Sequence, residues 1–537
     1  MRYLPHVRLS VECLETRETP AILYVDPTGS DLNTGSSTSP LFTLQTAANR
    51  VAAGDTVYVG AGTYRGFNLT TSGTAVARIT FAANPAAAAG SVVVNQPNPW
   101  NNADGINLEG ASYVTVQGFT VTGQPRAGIR SVANGFVEIR NNTADANTVW
   151  GIFTGFSSDL LIENNRASRS AQQHGIYVSN SADRPVIRGN TVTENFASGI
   201  QLNADLSQGG DGVISNAVIE RNILRANGAG GGASINLDGV QDSDIRNNII
   251  DGARASGIAL FKQDGATGSR NNRIVNNTVV VDNSINIGNG RWGVTISGGS
   301  TGNTLRNNVI FSTQSFRGAI ELAADSQTGL VSDYNAIEDR FSVDGGGSAI
   351  GLAAWQTATG QDRNSVRLAD VTALNGLFVN RATGDYHLAA GSAAIDRGTA
   401  TGAPTTDYEG QPRPSGAGYD IGADEFVTAV PPANTPPTIS SVPNVTIAYN
   451  GTSGTIRFTV GDAETSASAL TVTVSSTNPN LIPVTGLVLS GSGANRTLTI
   501  TPARRKFGTA TITLRVMDAG GLFTTTTFTV TVPPRRK

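Results

Sequence analysis

Eight side chains recur at related positions between residues 150 and 300 in a combination suited to recognising a polyhydroxylated ligand. They are Trp150, His174, Tyr177, Gln201, Asn203, Asn236, Asp238 and Trp292. Amides and an acid supply donors and acceptors for hydroxyl groups, and aromatic rings offer flat apolar faces, which is what an extended saccharide requires. The competing reading is that the exposed strands of a repetitive scaffold carry Asn, Gln, Ser and Thr for solubility alone. Familiar catalytic motifs are missing: there is no phosphate-binding glycine loop, no HExxH and no nucleophile elbow. Of the three histidines, His6 lies in the N-terminal segment, His387 in DYHLAAGS is expected to pack in a closing segment, and His174 alone falls in the repeat.

What must position these residues is an internal repeat. A small residue followed by alternating apolar and polar positions returns at Gly105, Gly128, Gly151, Gly175, Gly199, Ser234, Gly257, Gly293 and Ala319. The first four spacings are 23, 23, 24 and 24 residues, and the later ones 35, 23, 36 and 26. A second series interleaves with it, each member a short strand ending at an asparagine: Asn142, Asn165, Asn190, Asn222, Asn248, Asn277, Asn308 and Asn335. Alternation of period two within a unit of this length predicts strands stacked into a solenoid and excludes helical repeats. Coils stacked at ~4.8 Å would align the Ile and Val positions into a core and the asparagines into an amide ladder. Counting from the small residue, the first and third followers point inward and the second and fourth outward. Tyr177, Gln201, Asn203, Asn236 and Asp238 then share one outward stripe, joined by His174 from the position just before the small residue, where Trp150 and Trp292 also stand. The enlarged coils, carrying the insertions NADLSQGGDG, FKQDGATGSRNN and DNSINIGNGR, coincide with it, and long loops on a regular scaffold tend to build binding sites.

On these markers the sequence resembles the right-handed parallel β-helix proteins of the pectate-lyase-like superfamily. The opening YVDPTGSDLNTGSSTSPLFTLQTAANRVAAGDTVYVGAGTY is similar to the segment that precedes the coils in many of them. It predicts a first strand over Leu23 to Val25, an amphipathic capping helix over about Phe42 to Ala52, and a strand over Thr56 to Val59, the cap protecting strand edges that would otherwise aggregate. Residues 377–427, with GSAAIDRG and DIGADE, resemble a choice-of-anchor Q closing segment. A proline-rich linker follows over 428–437, and residues 438–537 resemble an Ig-like or cadherin-like β-sandwich. In that sandwich Asp462, Glu464 and Asp518 are read as turn residues. Residues 1–21, with Leu14, Glu15, Arg17, Thr19, Pro20 and Ala21, look like a sorting segment of exported bacterial surface proteins. A disordered terminus is the other reading.

The resemblance also implies an activity. Many such proteins are polysaccharide lyases, which need a base, a group to neutralise a uronate carboxylate, and a proton for the leaving oxygen. The residues available are Lys262, the one lysine in the repeat, and Arg291 as bases, with His174 and Tyr177 as an acid/base pair. Asp205, Asp211, Asp238 and Asp264 would hold Ca²⁺ bridging to an acidic sugar. Each has a plain alternative: a solvated loop for Lys262, a strand aromatic for Tyr177, and a rung residue bonded to Ser198 for His174. The aspartate pattern of polygalacturonases, the DPHE of mannuronan epimerases and a compact calcium-binding aspartate cluster are missing.

Composition is consistent with this picture. With 15% charged residues, 62 glycines and a net charge of −3, the chain is neither helix-bundle-like nor a nucleic-acid binder. A single cysteine, Cys13, excludes an internal disulfide framework. The expectation is an all-β, secreted or cell-surface monomer without a transmembrane segment. It would bind an acidic polysaccharide and cleave it by β-elimination, or else serve as a noncatalytic adhesion scaffold whose sandwich contacts the cell surface.

Overall fold

The computed structural model describes residues 20–281, 291–427 and 434–535. Residues 1–19, with His6, Cys13 and all but Pro20 and Ala21 of the segment expected to direct sorting, lie outside them, as do most of the DNSINIGNGR insertion and residues 428–433 of the linker. The chain divides after Phe426 into two compact units.

The first unit is a right-handed parallel β-helix with three parallel sheets. One, of 12 strands, runs from Ile22–Val25 to Val331–Asp333; a second, of 11, from Phe67–Leu69 to Phe341–Ser342; a third, of 12, from Gly62–Arg65 to Val366–Leu368. Register follows the small-residue series: Ile152, Ile176, Ile200, Ile235, Ile258, Val294 and Ile320 stand over one another in the second sheet. All are fully buried, each adding roughly 1.5–3 kcal/mol of apolar burial.

The asparagine series forms the ladder. At each step the Oδ1 of one asparagine accepts from the backbone N–H and Nδ2 of the preceding one, as between Asn142 and Asn165 at 2.9 and 3.1 Å. Nδ2 also reaches a strand carbonyl, as from Asn142 to Val116 at 2.9 Å. The residue just before a ladder asparagine takes positive φ, 52° at Asn141, 54° at Asn164 and 53° at Asn276. This is why Asn-Asn pairs mark the corner: asparagine tolerates the left-handed conformation, and its successor satisfies the turn.

Both ends are covered. The N-terminal helix is Leu44–Arg50, shorter than expected because Thr43 caps it through Oγ1 and Val51 turns extended; Leu44, Ala47 and Ala48 are buried. At the other end a helix over Leu352–Thr359 buries Trp355, which stacks on Phe341 at 4.9 Å between centroids. The segment after it lies along the outside of the third sheet. Leu374, Leu377, Phe378, Tyr386, Leu388 and Ile421 pack on the outward side chains Ile249, Val280, Val309 and Phe311, and Arg381 pairs with Asp251 at 2.5 Å.

The second unit consists of two four-stranded sheets, largely antiparallel. Phe458, Val460, Leu498 and Ile500 of one sheet share a core with Ile512, Leu514, Phe528 and Val530 of the other, so the unit is a β-sandwich. Asp462 accepts from the N–H groups of Glu464 and Thr465, and Asp518 from that of Leu522, as turn residues do.

Candidate functional site

The outward stripe is built by the register of the second sheet. Phe153 lies beside Tyr177, Tyr177 beside Gln201 and Gln201 beside Asn236, while Asn203, Asp238 and Phe261 form a parallel column two positions on. Over these columns opens a cavity of about 400 Å³ lined by Gln173, His174, Tyr177, Ala197, Gln201, Asn203, Asn236, Asp238, Phe261, Gln263 and Asp264. Six of the residues singled out as catalytic or binding therefore meet, and Asp264, expected as a metal ligand, joins them.

One wall is the loop that follows Phe261. Asp238 is buried, and its Oδ1 accepts from the N–H groups of Gln263 and Gly265 at 2.9 and 3.2 Å, its Oδ2 from Asp264 at 2.7 Å. Its carboxylate is thus committed to anchoring the loop rather than to a ligand or metal. Asp264 in turn accepts from Asn203 Nδ2 at 3.0 Å, and the same amide donates to the Tyr177 hydroxyl at 3.3 Å. Gln201 Oε1 accepts from Asn236 at 2.6 Å and from the Ser198 hydroxyl at 3.2 Å.

His174 Nδ1 accepts the backbone N–H of Ser198 at 3.1 Å. Burial lowers its pKa to about 4, so the ring is neutral near pH 7, and with Nδ1 occupied the proton sits on Nε2. Burial also raises the Tyr177 hydroxyl above its ordinary value. The rings are 5.0 Å apart. As placed, the pair presents two neutral donors, which differs from the base and acid expected of it. Upstream, Trp150 stacks on Phe153 at 4.6 Å and donates to Gln173 Oε1 at 2.7 Å, and Phe153 meets Tyr177 edge-on at 5.3 Å. A run of aromatic faces therefore leads into the cavity.

Other expected residues stand apart. Lys262 and Arg291 are exposed and absent from the lining. Trp292 is 2% exposed and so presents no ring face to a ligand; the chain passes so close that a Cβ on Gly346 would come within 3.3 Å of its Nε1. Asp205 caps the short turn over Leu206–Gln208 through Ser207 N–H at 2.9 Å, and exposed Asp211 accepts from Val213 at 3.0 Å. Among the described residues the four aspartates do not bring three ligand oxygens together. Gln173, Ala197, Phe261 and Gln263 complete the site without having been singled out. Phe261 is legible in the column containing Asn203 and Asp238, and Gln173 only as the chain neighbour of His174, the residue one coil on from Trp150.

His387 lies in the closing segment, away from this lining, between Asp385 at 2.6 Å and Glu409 at 3.0 Å. Burial would lower its pKa, but hydrogen bonds to Glu409 and Asp385 outweigh that and raise it to about 9.

A family model described as the right-handed beta helix region matches residues 88–231. The chain carries a right-handed β-helix region. No curated protein matches it. Among solved structures it is similar to pectate lyase Pel9A, at 19% identity and a TM-score of 0.47, over 76% of this chain and 97% of that one. A rhamnogalacturonan lyase gives 18% identity and a TM-score of 0.38, over 56% and 84% of the two chains. The PL6 family polysaccharide lyase Pedsa3628 from Pseudopedobacter saltans gives 11% and 0.37, over 60% and 90%. Among the described residues no helix is long and apolar enough to cross a membrane.

Proposed function

We propose that this β-helix protein binds a saccharide in the cavity over coils 174–264, as a secreted or surface-attached carbohydrate-recognition module. The observation that carries the reading is the chemistry of the lining: a neutral imidazole, a phenol, three amides of the strand stripe, one partly open carboxylate and an aromatic ring, without a Lys or Arg side chain among the described residues. Sugar hydroxyls both donate and accept, and such a lining meets both needs. Trp150, Phe153 and Tyr177 supply stacking faces along the approach.

The missing cation bears on substrate class. A uronate carboxylate in this cavity would meet Asp264 with no positive partner beside it, which favours a neutral sugar at this subsite over the acidic one expected from the resemblance. β-Elimination asks for a base and a carboxylate-neutralising group, and Lys262 and Arg291 are exposed outside this lining. The sandwich unit is assigned a cell-surface contact, and the chain a monomeric state, as parts of the same proposal.

The test is a panel of neutral and uronic-acid polysaccharides, with calcium or chelator, read by calorimetry for binding and by ultraviolet absorbance for unsaturated products. Binding of a neutral glycan that weakens about tenfold in His174→Ala, the cost of one hydrogen bond in a half-buried site, is the expected result. Unsaturated product from a uronic polymer would instead establish a lyase. Glycan binding indifferent to His174→Ala would move recognition off this cavity, and no binding at all would leave the rigid-scaffold role.

A further inference from the structure

A second cluster, in the segment packed along the third sheet, has the makings of a metal centre. His387, Glu409 and Asp424 each present one ligand atom, and the three atoms lie within 4.8 Å of one another. His387 Nε2 and Glu409 Oε2 are 3.0 Å apart, close to the ~3.3 Å edge of a tetrahedron with metal–ligand bonds of about 2.0 Å.

Two further observations point to a ligand. Asp424 is 3% exposed; its Oδ2 accepts the Leu388 N–H at 2.6 Å, while Oδ1 is buried with no hydrogen-bond partner. A buried carboxylate oxygen left without a donor is costly, and a cation is a natural partner for it. Independently, the imidazole is oriented as a metal-binding one is: Asp385 Oδ1 lies 2.6 Å from Nδ1, which fixes the proton there and turns Nε2 towards Glu409. Glu409 is itself held by Gln411 Nε2 at 3.0 Å. Arg413, the buried guanidinium of the same segment, is spent on Glu425 at 2.8 Å and on the carbonyls of Gly422 and Ala423.

We propose that His387 Nε2, Glu409 and Asp424 Oδ1 form a site for a divalent transition metal, Zn²⁺ in the first instance, with Asp385 as the positioning residue behind the imidazole. One nitrogen and two carboxylates suit Zn²⁺ better than the all-oxygen shell Ca²⁺ prefers. With His387 and Glu409 side chains 38% and 40% exposed, the ion has an entry path, and a water completes its shell. The ion would fasten the strand Asp385–Leu388, the turn at Glu409 and the stretch through Asp424 to one another. It would be a cross-link in a segment without cysteine, stabilising the folded form by mass action.

The experiment uses the full chain without a polyhistidine tag, stripped with chelator and titrated calorimetrically with Zn²⁺ and, in parallel, Ca²⁺. One Zn²⁺ per chain, a raised thermal midpoint and at least tenfold weaker binding in His387→Gln and in Glu409→Gln are expected, with Ca²⁺ binding weaker than Zn²⁺. Both substitutions are at half-exposed positions, so a metal-free midpoint like that of the parent shows each variant folded. Asp385→Asn should weaken Zn²⁺ without abolishing it, as loss of an orienting group does. Zn²⁺ binding equal in parent and His387→Gln, or no stoichiometric binding by the parent, would overturn the site.

Discussion

Two columns of stacked amides run through the same coils and differ in outcome. In the ladder from Asn142 to Asn335 the Nδ2 and Oδ1 of each inner member are consumed by the neighbouring asparagines and a strand carbonyl. In the stripe of Gln201, Asn203 and Asn236 the same chemistry, also one coil apart, borders a cavity and bonds instead to a phenol, a carboxylate and another amide. Residue type and spacing do not separate the two. What separates them is cover: the ladder lies at a two-residue corner sealed by the coil above, whereas the stripe faces outward beneath the FKQDG loop pinned by Asp238. An amide column is a structural element where the fold encloses it and a recognition surface where a loop leaves it open.

The sharpest way to break this contrast is to cut the ladder. Asn248→Ala removes the acceptor for Asn222 N–H and Nδ2 at 3.1 and 2.9 Å and the donor to Ile219 O at 2.8 Å. With buried orphans costing roughly 1–3 kcal/mol each, a loss of about 3 kcal/mol or more is expected in urea unfolding. Asn236→Ala in the open stripe should cost well under half of that. Equal losses would mean that the stripe is structural too.

A second, smaller difference is in pH response. The ladder has no titrating group, but the cavity has His174, whose pKa is about 4 in the folded chain against 6.5 ordinarily. The unfolded chain therefore takes up the proton first, so stability should decline as pH falls from about 6.5 towards 4 and level off below. A protonated ring would also set an Nδ1–H against the Ser198 N–H that it now accepts, so saccharide affinity should fall in the same window. Unfolding midpoints of parent and His174→Gln at pH 7 and pH 4.5 measure this; a parallel decline in both would assign it to other groups.

The smallest effect is expected at Lys262, one residue from the lining residues Phe261 and Gln263 but outside the lining itself. Lys262→Ala should leave glycan affinity within about twofold, as exposed charges usually do. A larger loss would extend the site over the loop.

Much of this was legible in the linear chain. The small-residue series gave the strand register, the Asn-Asn pairs the corners, and the outward positions most of the cavity lining, since in a stacked solenoid the neighbours of a residue are its equivalents one period away. The misplacements share a cause. Asp238 is outward by count and Trp292 stands just before the small residue of its coil, in line with Trp150 and His174, yet both are buried against later chain. Lys262 and Arg291 have the right chemistry but lie outside the cavity.

By itself, then, the sequence determined the coil, its ladder and the composition of the exposed stripe, because these depend on contacts that repeat at a fixed interval. Only the tertiary structure decided which outward positions stay open. It also packed residues 374–423 on Val280, Val309 and Phe311, which explains why those strands are apolar on both faces, and gathered His387, Glu409 and Asp424 to within 4.8 Å. Those are long-range, non-periodic contacts, and the order of residues along the chain carries no recurring interval from which they could be read.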